Sequence, residues 1–156
     1  MKIILASASP RRKEILEGLG ATFTVICADA DESCALSDPR QYAMELAKRK
    51  GRAVYDALAD DERADAVIIS ADTVVYAEGE ILGKPKSEAD ACRMIELISG
   101  KEHSVVSGIA VTFGGVTRAD FSETRVFVDK IPRTEIEAYV RTGDTMDKAC
   151  AYGIQG

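Results

Sequence analysis

Histidine is almost missing from this 156-residue chain: His103 is the sole example, and Cys27, Cys34, Cys92 and Cys150 stand far apart with no C-x-x-C pair. That scarcity excludes zinc sites of ordinary spacing, which need three or four such ligands close together. Tryptophan is absent, aromatic residues make up only 6%, and the net charge is −6. Nucleic-acid binding draws on a basic face and, for single strands, on stacking platforms, so no nucleic-acid partner is expected. No apolar run approaches the roughly 20 residues that span a bilayer, and Met1 to Ala6 runs straight into a strand-like segment rather than a cleavable leader. The expectation is a cytoplasmic protein with reduced thiols and no membrane partner. The phosphate-loop pattern G-x-x-x-x-G-K-[ST] and the nucleophile elbow G-x-S-x-G are also missing, which removes P-loop enzymes and α/β-hydrolases.

What the chain does have is 46% hydrophobic residues and 29% charged residues of both signs. That composition and length predict one globular domain over residues 1–156. Ile3 to Ala6 reads as a buried strand, followed by Ser9 as N-cap and Pro10 at the first helical position. The helix continues to about Gly20, with Ile15, Leu16 and Leu19 as its apolar side. Thr22 to Cys27 is a second strand. Asp38-Pro39-Arg40-Gln41 has the form of a capping box and opens the longest helix, to about Leu58, on a stripe of Tyr42, Leu46, Ala53, Val54 and Ala57.

Ala66 to Ser70 reads as a buried strand, interrupted by Ser70-Ala71-Asp72-Thr73 before Thr73 to Tyr76 resumes in extended form. A turn at Glu78-Gly79 returns Ile81 and Leu82 as a hairpin. Ser87 starts a helix that Gly100 ends. His103 to Phe113 and Val116 to Lys130 form a long hairpin about Gly114-Gly115, and Thr134, with Glu137 at the third helical position, begins the last helix. Strands alternating with helices and then a hairpin predict an α/β fold around a mixed central sheet flanked by helices. Asp144 to Gly156 reads as a loop, and a chain ending on Gly-Ile-Gln-Gly is expected to lack its natural C-terminal segment.

Four groups of residues could carry chemistry. Ser7-Ala8-Ser9-Pro10-Arg11-Arg12-Lys13 places three cations in a helical first turn that favours acids. Either this is a solvated basic helix start or it holds an anion between serine hydroxyls, backbone N–H groups and guanidinium forks. Asp72, read as lying at the carboxyl end of a buried strand, is either a turn former or a carboxylate facing an active-site crevice. Lys50 falls beside the apolar stripe of its helix and either snorkels or projects into a cleft. Lys84, between Gly83 and Pro85, sits in a defined loop. Asp29, Asp31 and Glu32 are solvated loop charges or ligands of a hard cation such as magnesium or manganese. Arg11, Arg12, Lys50 and Lys84 as cationic grip, with Glu32 and Asp72 to bind metal or activate water, are the combination phosphoryl chemistry needs.

Leu5-Ala6-Ser7-Ala8-Ser9-Pro10-Arg11-Arg12, Ala71-Asp72-Thr73-Val74-Val75, Gly83-Lys84-Pro85 and Asp147-Lys148-Ala149-Cys150-Ala151-Tyr152-Gly153-Ile154-Gln155-Gly156, in that order, resemble the Maf family of nucleotide pyrophosphatases. The resemblance implies an elongated α/β fold with a deep cleft, related to the inosine-triphosphate pyrophosphatases, and a homodimer in many members. It implies metal-assisted house-cleaning hydrolysis of nucleoside triphosphates to monophosphate and pyrophosphate, with Asp72 as proton acceptor. Arg11, Thr73 and Gln155 match the positions associated with substrate choice, in the branch similar to dTTP/UTP pyrophosphatases. Cys150 departs from the family's usual glycine, and the family's last segment is missing. A rival expectation is a nucleotide-binding regulator of septum formation without turnover.

Overall fold

The computed structural model describes residues 1–154, in which the chain forms two compact units. Among the described residues, 1–72 and 107–122 make the first, and 73–106 and 123–154 the second. The strands form a mixed sheet with order β2-β1-β3-β5-β6, plus β4 on β3. Its strands are β1 (Lys2–Leu5), β2 (Phe23–Val25), β3 (Ala66–Ala77), β4 (Glu80–Leu82), β5 (Glu102–Phe113) and β6 (Val116–Phe127). The helices are α1 (Pro10–Gly18), α2 (Pro39–Ala57), α3 (Asp60–Arg63), α4 (Glu88–Ile98) and α5 (Arg133–Val140). The expected fold class, a mixed sheet flanked by helices, is the one observed.

In the first unit, β1 pairs in parallel with β2 (Ile3 opposite Phe23) and with β3 (Leu5 opposite Ile69). Period-two alternation turns Ala66, Ile68, Ser70 and Asp72 to one face of β3, and all four are buried. Ile4, Ala6, Ile68 and Ala66 pack there with Val54 and Leu58 from α2 and the residue that follows it. Burial of each of the Ile, Val and Leu side chains in this group is worth about 1.5–3 kcal/mol. Asp38 caps α2 by accepting from the backbone N–H of Arg40 (2.8 Å) and Gln41 (3.0 Å).

Two glycines set how closely α2 and the sheet approach. A Cβ on Gly51 would lie 2.6 Å from Ser70 Oγ and 3.3 Å from Thr112 Oγ1, and a Cβ on Gly108 of β5 would meet the backbone of Ala43. The buried side of α2 is therefore Ala43, Leu46, Ala47, Gly51 and Val54, which keeps Leu46 and Val54 of the expected stripe but not the rest: Ala57 is exposed, and Ala53 and Tyr42 are half-buried. Small residues let the helix sit nearly on the strands, and the apolar stripe read from size alone is rotated by that contact. The same closeness places Lys50, one residue before Gly51, over β3.

Three further expectations are corrected. Helix α1 fully buries none of its residues: Ile15 is 58% exposed, Leu19 just past its end is 77% exposed, and only Leu16 of the expected apolar side is half-buried. Ser9 is the N-cap by backbone geometry, yet its side chain makes no capping bond; the Ser7 hydroxyl accepts from the Ser9 N–H instead, at 3.2 Å. Strand β3 is unbroken from Ala66 to Ala77, so Asp72 lies within a strand and not at its carboxyl end. It is β1 that ends, at Leu5, three residues short of Asp72 in register, because the loop into α1 begins there.

In the second unit, β4 pairs antiparallel with the last part of β3, Val75 opposite Leu82. The connecting Glu78 and Gly79 both have positive φ, 50° and 85°. That is the backbone a two-residue hairpin turn requires. Ser87 caps α4 through the Asp90 N–H at 3.1 Å. Ala91 and Ile95 of α4 pack on Ile136 and Val140 of α5, and Met94 and Ile98 pack with Val75, Leu82 and Cys150. Helix α5 starts at Arg133 behind Pro132, one residue before the expected Thr134, since proline's fixed φ suits the entry to a helix. No helix among the described residues is long and apolar enough to cross a membrane.

Candidate active site

Asp72 is buried in β3, and a buried carboxylate must be paired. Its partner is Lys50 of α2, whose Nζ stands 2.5 Å from Asp72 Oδ1. The same ammonium lies 2.9 Å from Glu32 Oε1. One lysine thus joins a strand, a helix and the acidic loop before that helix. Burial works to lower the Lys50 pKa, but the hydrogen bonds and charges of Asp72 and Glu32 outweigh it and hold the ammonium above its ordinary value.

Arg12 reaches the same place from α1. Its Nη1 donates to the Ala71 carbonyl at 2.7 Å and to the Ser7 hydroxyl at 3.2 Å. Burial pulls its pKa down, and the charge of Asp72 opposes that shift. Of the three cations in the first turn, Arg12 is the half-buried one; Arg11 is exposed, and exposed Lys13 faces Glu17 at 3.7 Å. Arg12, Ser7, Lys50, Glu32 and Asp72 are accordingly brought together inside the first unit. The basic turn and the carboxylate at position 72 share one neighbourhood.

Two residues of this neighbourhood escaped the sequence reading. Arg49 Nη1 donates to the carbonyls of Asp31 (3.2 Å) and Ser33 (2.5 Å), while its Nε holds Glu45 at 2.9 Å. It therefore fastens the loop on both sides of Glu32. Tyr42, expected to be core, has a phenol pKa raised first by burial and then by the negative charges of Cys34, Asp72 and Glu32, with Lys50 opposing. Nothing in the spacing of Arg49 distinguishes it from a solvated helix arginine, and Tyr42 reads as apolar by position.

Among the described residues, no group of three or more His, Cys, Asp or Glu side chains converges as a metal cage. Glu32 and Asp72 do converge, both on the Lys50 ammonium. Magnesium is commonly held by one or two carboxylates together with substrate phosphates and water. A pair of oxygen-donor carboxylates beside basic side chains fits that mode of binding and does not fit a soft metal.

Two of the other expected site residues, Thr73 and Lys84, belong to the second unit. Thr73 follows Asp72 in β3 and is half-buried; Lys84 is exposed between β4 and α4. The Gly83 carbonyl accepts from the Cys150 N–H at 2.9 Å, so the Gly-Lys-Pro turn is tied to the segment Asp147 to Tyr152. Lys148 in that segment bridges Asp144 and Asp147, each at 3.0 Å. Cys150 is fully buried with φ of 54°, the left-handed backbone that glycine adopts most easily, and burial pushes its thiol up to about 12. Gln155 lies outside the described residues.

Residues 2–156 match the family described as Maf-like protein. A dTTP/UTP pyrophosphatase of Thermococcus kodakarensis is 46% identical over 154 residues, which cover 99% of this chain and 80% of that protein. Proteins of the same description from Agathobacter rectalis and Bacillus cereus are 44% and 42% identical, with 82% and 79% of their lengths covered. The structure of the Staphylococcus aureus Ham1 protein superposes with a TM-score of 0.55 at 15% identity, over 80% of this chain and 70% of that one, a likeness of fold. With its whole described length matched and its four motifs in order, the chain belongs to the Maf family.

Proposed function

We propose that this protein is a nucleoside triphosphate pyrophosphatase that hydrolyses dTTP and UTP to the monophosphate and pyrophosphate. One observation carries the reading: Lys50 and Arg12, two cations, stand at a buried carboxylate, Asp72, beside a second carboxylate, Glu32. The relatives described as dTTP/UTP pyrophosphatases support the choice of substrate.

In the reaction, a water oxygen bonds to the α-phosphorus while the bond from that phosphorus to the oxygen bridging to the β-phosphate breaks. The water proton goes to Asp72, and pyrophosphate departs with the bridging oxygen. Arg12, Lys50 and the Ser7 and Ser9 hydroxyls hold phosphate oxygens, with Arg11 and Lys84 adding charge. Glu32 and Asp72 would hold a divalent cation, Mg2+ or Mn2+, which when bound neutralises charge on the phosphate chain. Thr73 and Gln155 read the base: an amide supplies both the donor and the acceptor that the O4 and N3–H edge of uracil or thymine needs. The reading includes residues 1–156 acting as one functional domain, as a homodimer, in the cytoplasm.

Pyrophosphate release from UTP, dTTP, CTP, ATP and GTP with Mg2+ tests it. Faster release from UTP and dTTP is expected. Tight nucleotide binding without pyrophosphate release would instead favour a binding protein that regulates without turnover.

A further inference from the structure

Two carboxylates that meet at one point need a cation there, and in the free protein the chain supplies its own. The Lys50 Nζ sits between Asp72 Oδ1 at 2.5 Å and Glu32 Oε1 at 2.9 Å. The arrangement is held from both sides. Asp72 is fixed in β3, the close approach of α2 at Gly51 fixes the helix that bears Lys50, and Arg49 pins the carbonyls flanking Glu32. A divalent cation bound by the same carboxylates would lie within a few ångströms of the ammonium, and like charges so close in a half-buried site repel strongly.

We infer that Lys50 is a resident counter-cation occupying the divalent-metal position of the nucleotide-free protein, so that metal enters only when a triphosphate draws the ammonium away. Phosphate oxygens offer Lys50 a replacement for the two carboxylates it surrenders. Both carboxylates then become available to the metal that accompanies the nucleotide, and neither is left buried without a partner. Lys50 acts as a positioning residue that orders binding, and the free protein is a poor metal binder by design of this one contact. The inference rests on the reading that Glu32 and Asp72 are the metal's carboxylates.

Mn2+ binding to the nucleotide-free protein, read from the electron paramagnetic resonance of free Mn2+, tests it with no reference to turnover. Lys50→Met should bind Mn2+ about tenfold more tightly than the wild type, or better. Lys48→Met, the same charge change at an exposed position two residues away, should stay within about twofold. Adding Asp72→Asn to Lys50→Met should remove the gain. Equal Mn2+ affinity in the wild type and Lys50→Met would overturn the inference while leaving the metal reading in place. Absence of Mn2+ binding in every variant would remove the carboxylates as metal ligands and the inference with them.

A measurement on the unmutated protein guards against misfolding of the variant. The Lys50 ammonium signal in 15N spectra, assigned by its loss in Lys50→Arg, should be unmoved by millimolar Mg2+ alone. It should shift when Mg2+ is added with a non-hydrolysable UTP analogue. Displacement by Mg2+ alone would overturn the proposed order.

Discussion

Lys50 of α2 and Asp72 of β3, 22 residues apart in sequence, meet at 2.5 Å across the helix–sheet contact of the first unit. The pair exists because Gly51 allows α2 to lie against Ser70 and Thr112 and because alternation along β3 turns position 72 to the same side as position 70. Stability and chemistry are therefore coupled at this contact.

Asp72→Asn retains the shape of the side chain and removes the proton acceptor. Pyrophosphate release from UTP should fall about 100-fold to 10,000-fold, the usual worth of a positioned general base. UTP binding without divalent metal, measured by calorimetry in EDTA, should change little. Turnover close to normal would take Asp72 out of the role.

Gly51→Ala should destabilise the protein by about 1–3 kcal/mol in urea unfolding, although alanine is ordinarily the better helix residue by about 1 kcal/mol. The clash at 2.6 Å with Ser70 Oγ outweighs propensity. In a Ser70→Ala background the penalty should shrink, because the nearest obstructing atom is gone and the others stand at 3.3 Å and beyond. An equal penalty in both backgrounds would show that another contact sets the cost.

Arg49→Leu should leave the melting temperature nearly unchanged, since its partners are exposed loop carbonyls and an i,i+4 carboxylate. Its effect should appear in the KM for UTP and in the Mg2+ concentration required for half-maximal rate, each rising several-fold as the Glu32 loop loosens. Restoration by Arg49→Lys should be incomplete, because an ammonium cannot reproduce the fork that spans Asp31, Ser33 and Glu45.

His103 is buried, with Nε2 2.5 Å from the Tyr152 hydroxyl and Nδ1 without a partner among the described residues, and burial lowers its pKa from 6.5. The unfolded chain takes up a proton at a higher pH than the folded one does. The stability contribution is therefore complete above the unfolded value and is lost progressively as pH falls from there toward the lowered folded value. Thermal melts from about pH 7.5 to pH 5 should show a steeper decline for the wild type than for His103→Gln, which does not titrate there. Parallel declines would assign the acid sensitivity to other groups.

Much of this protein is legible from local patterns. Short-range rules placed the Asp38 and Ser87 caps and the turns at Glu78-Gly79 and Gly114-Gly115. Each depends on residues within a turn or a strand of one another. Of the three cations crowded into the first helical turn, Arg12 is the one whose guanidinium reaches the Ala71 carbonyl beside Asp72. The misread features depend on what lies across from a residue. Spacing made Ile15, Leu16 and Leu19 a face, but spacing carries no information on whether another element covers it. The Ser70-Ala71-Asp72-Thr73 stretch looked like a break because a polar run usually ends a strand; ladder pairing carries the strand through it.

The sequence alone determined the inventory: oxygen ligands in place of histidine and cysteine, cations in a first turn where acids belong, and a single carboxylate set among β-branched residues. Which members of that inventory meet was left to the tertiary structure. Residue type and period specify the direction in which a side chain leaves its own helix or strand, and the distance between two elements is set by the small residues that separate them. At Gly51 that distance is short enough for one ammonium to hold two carboxylates.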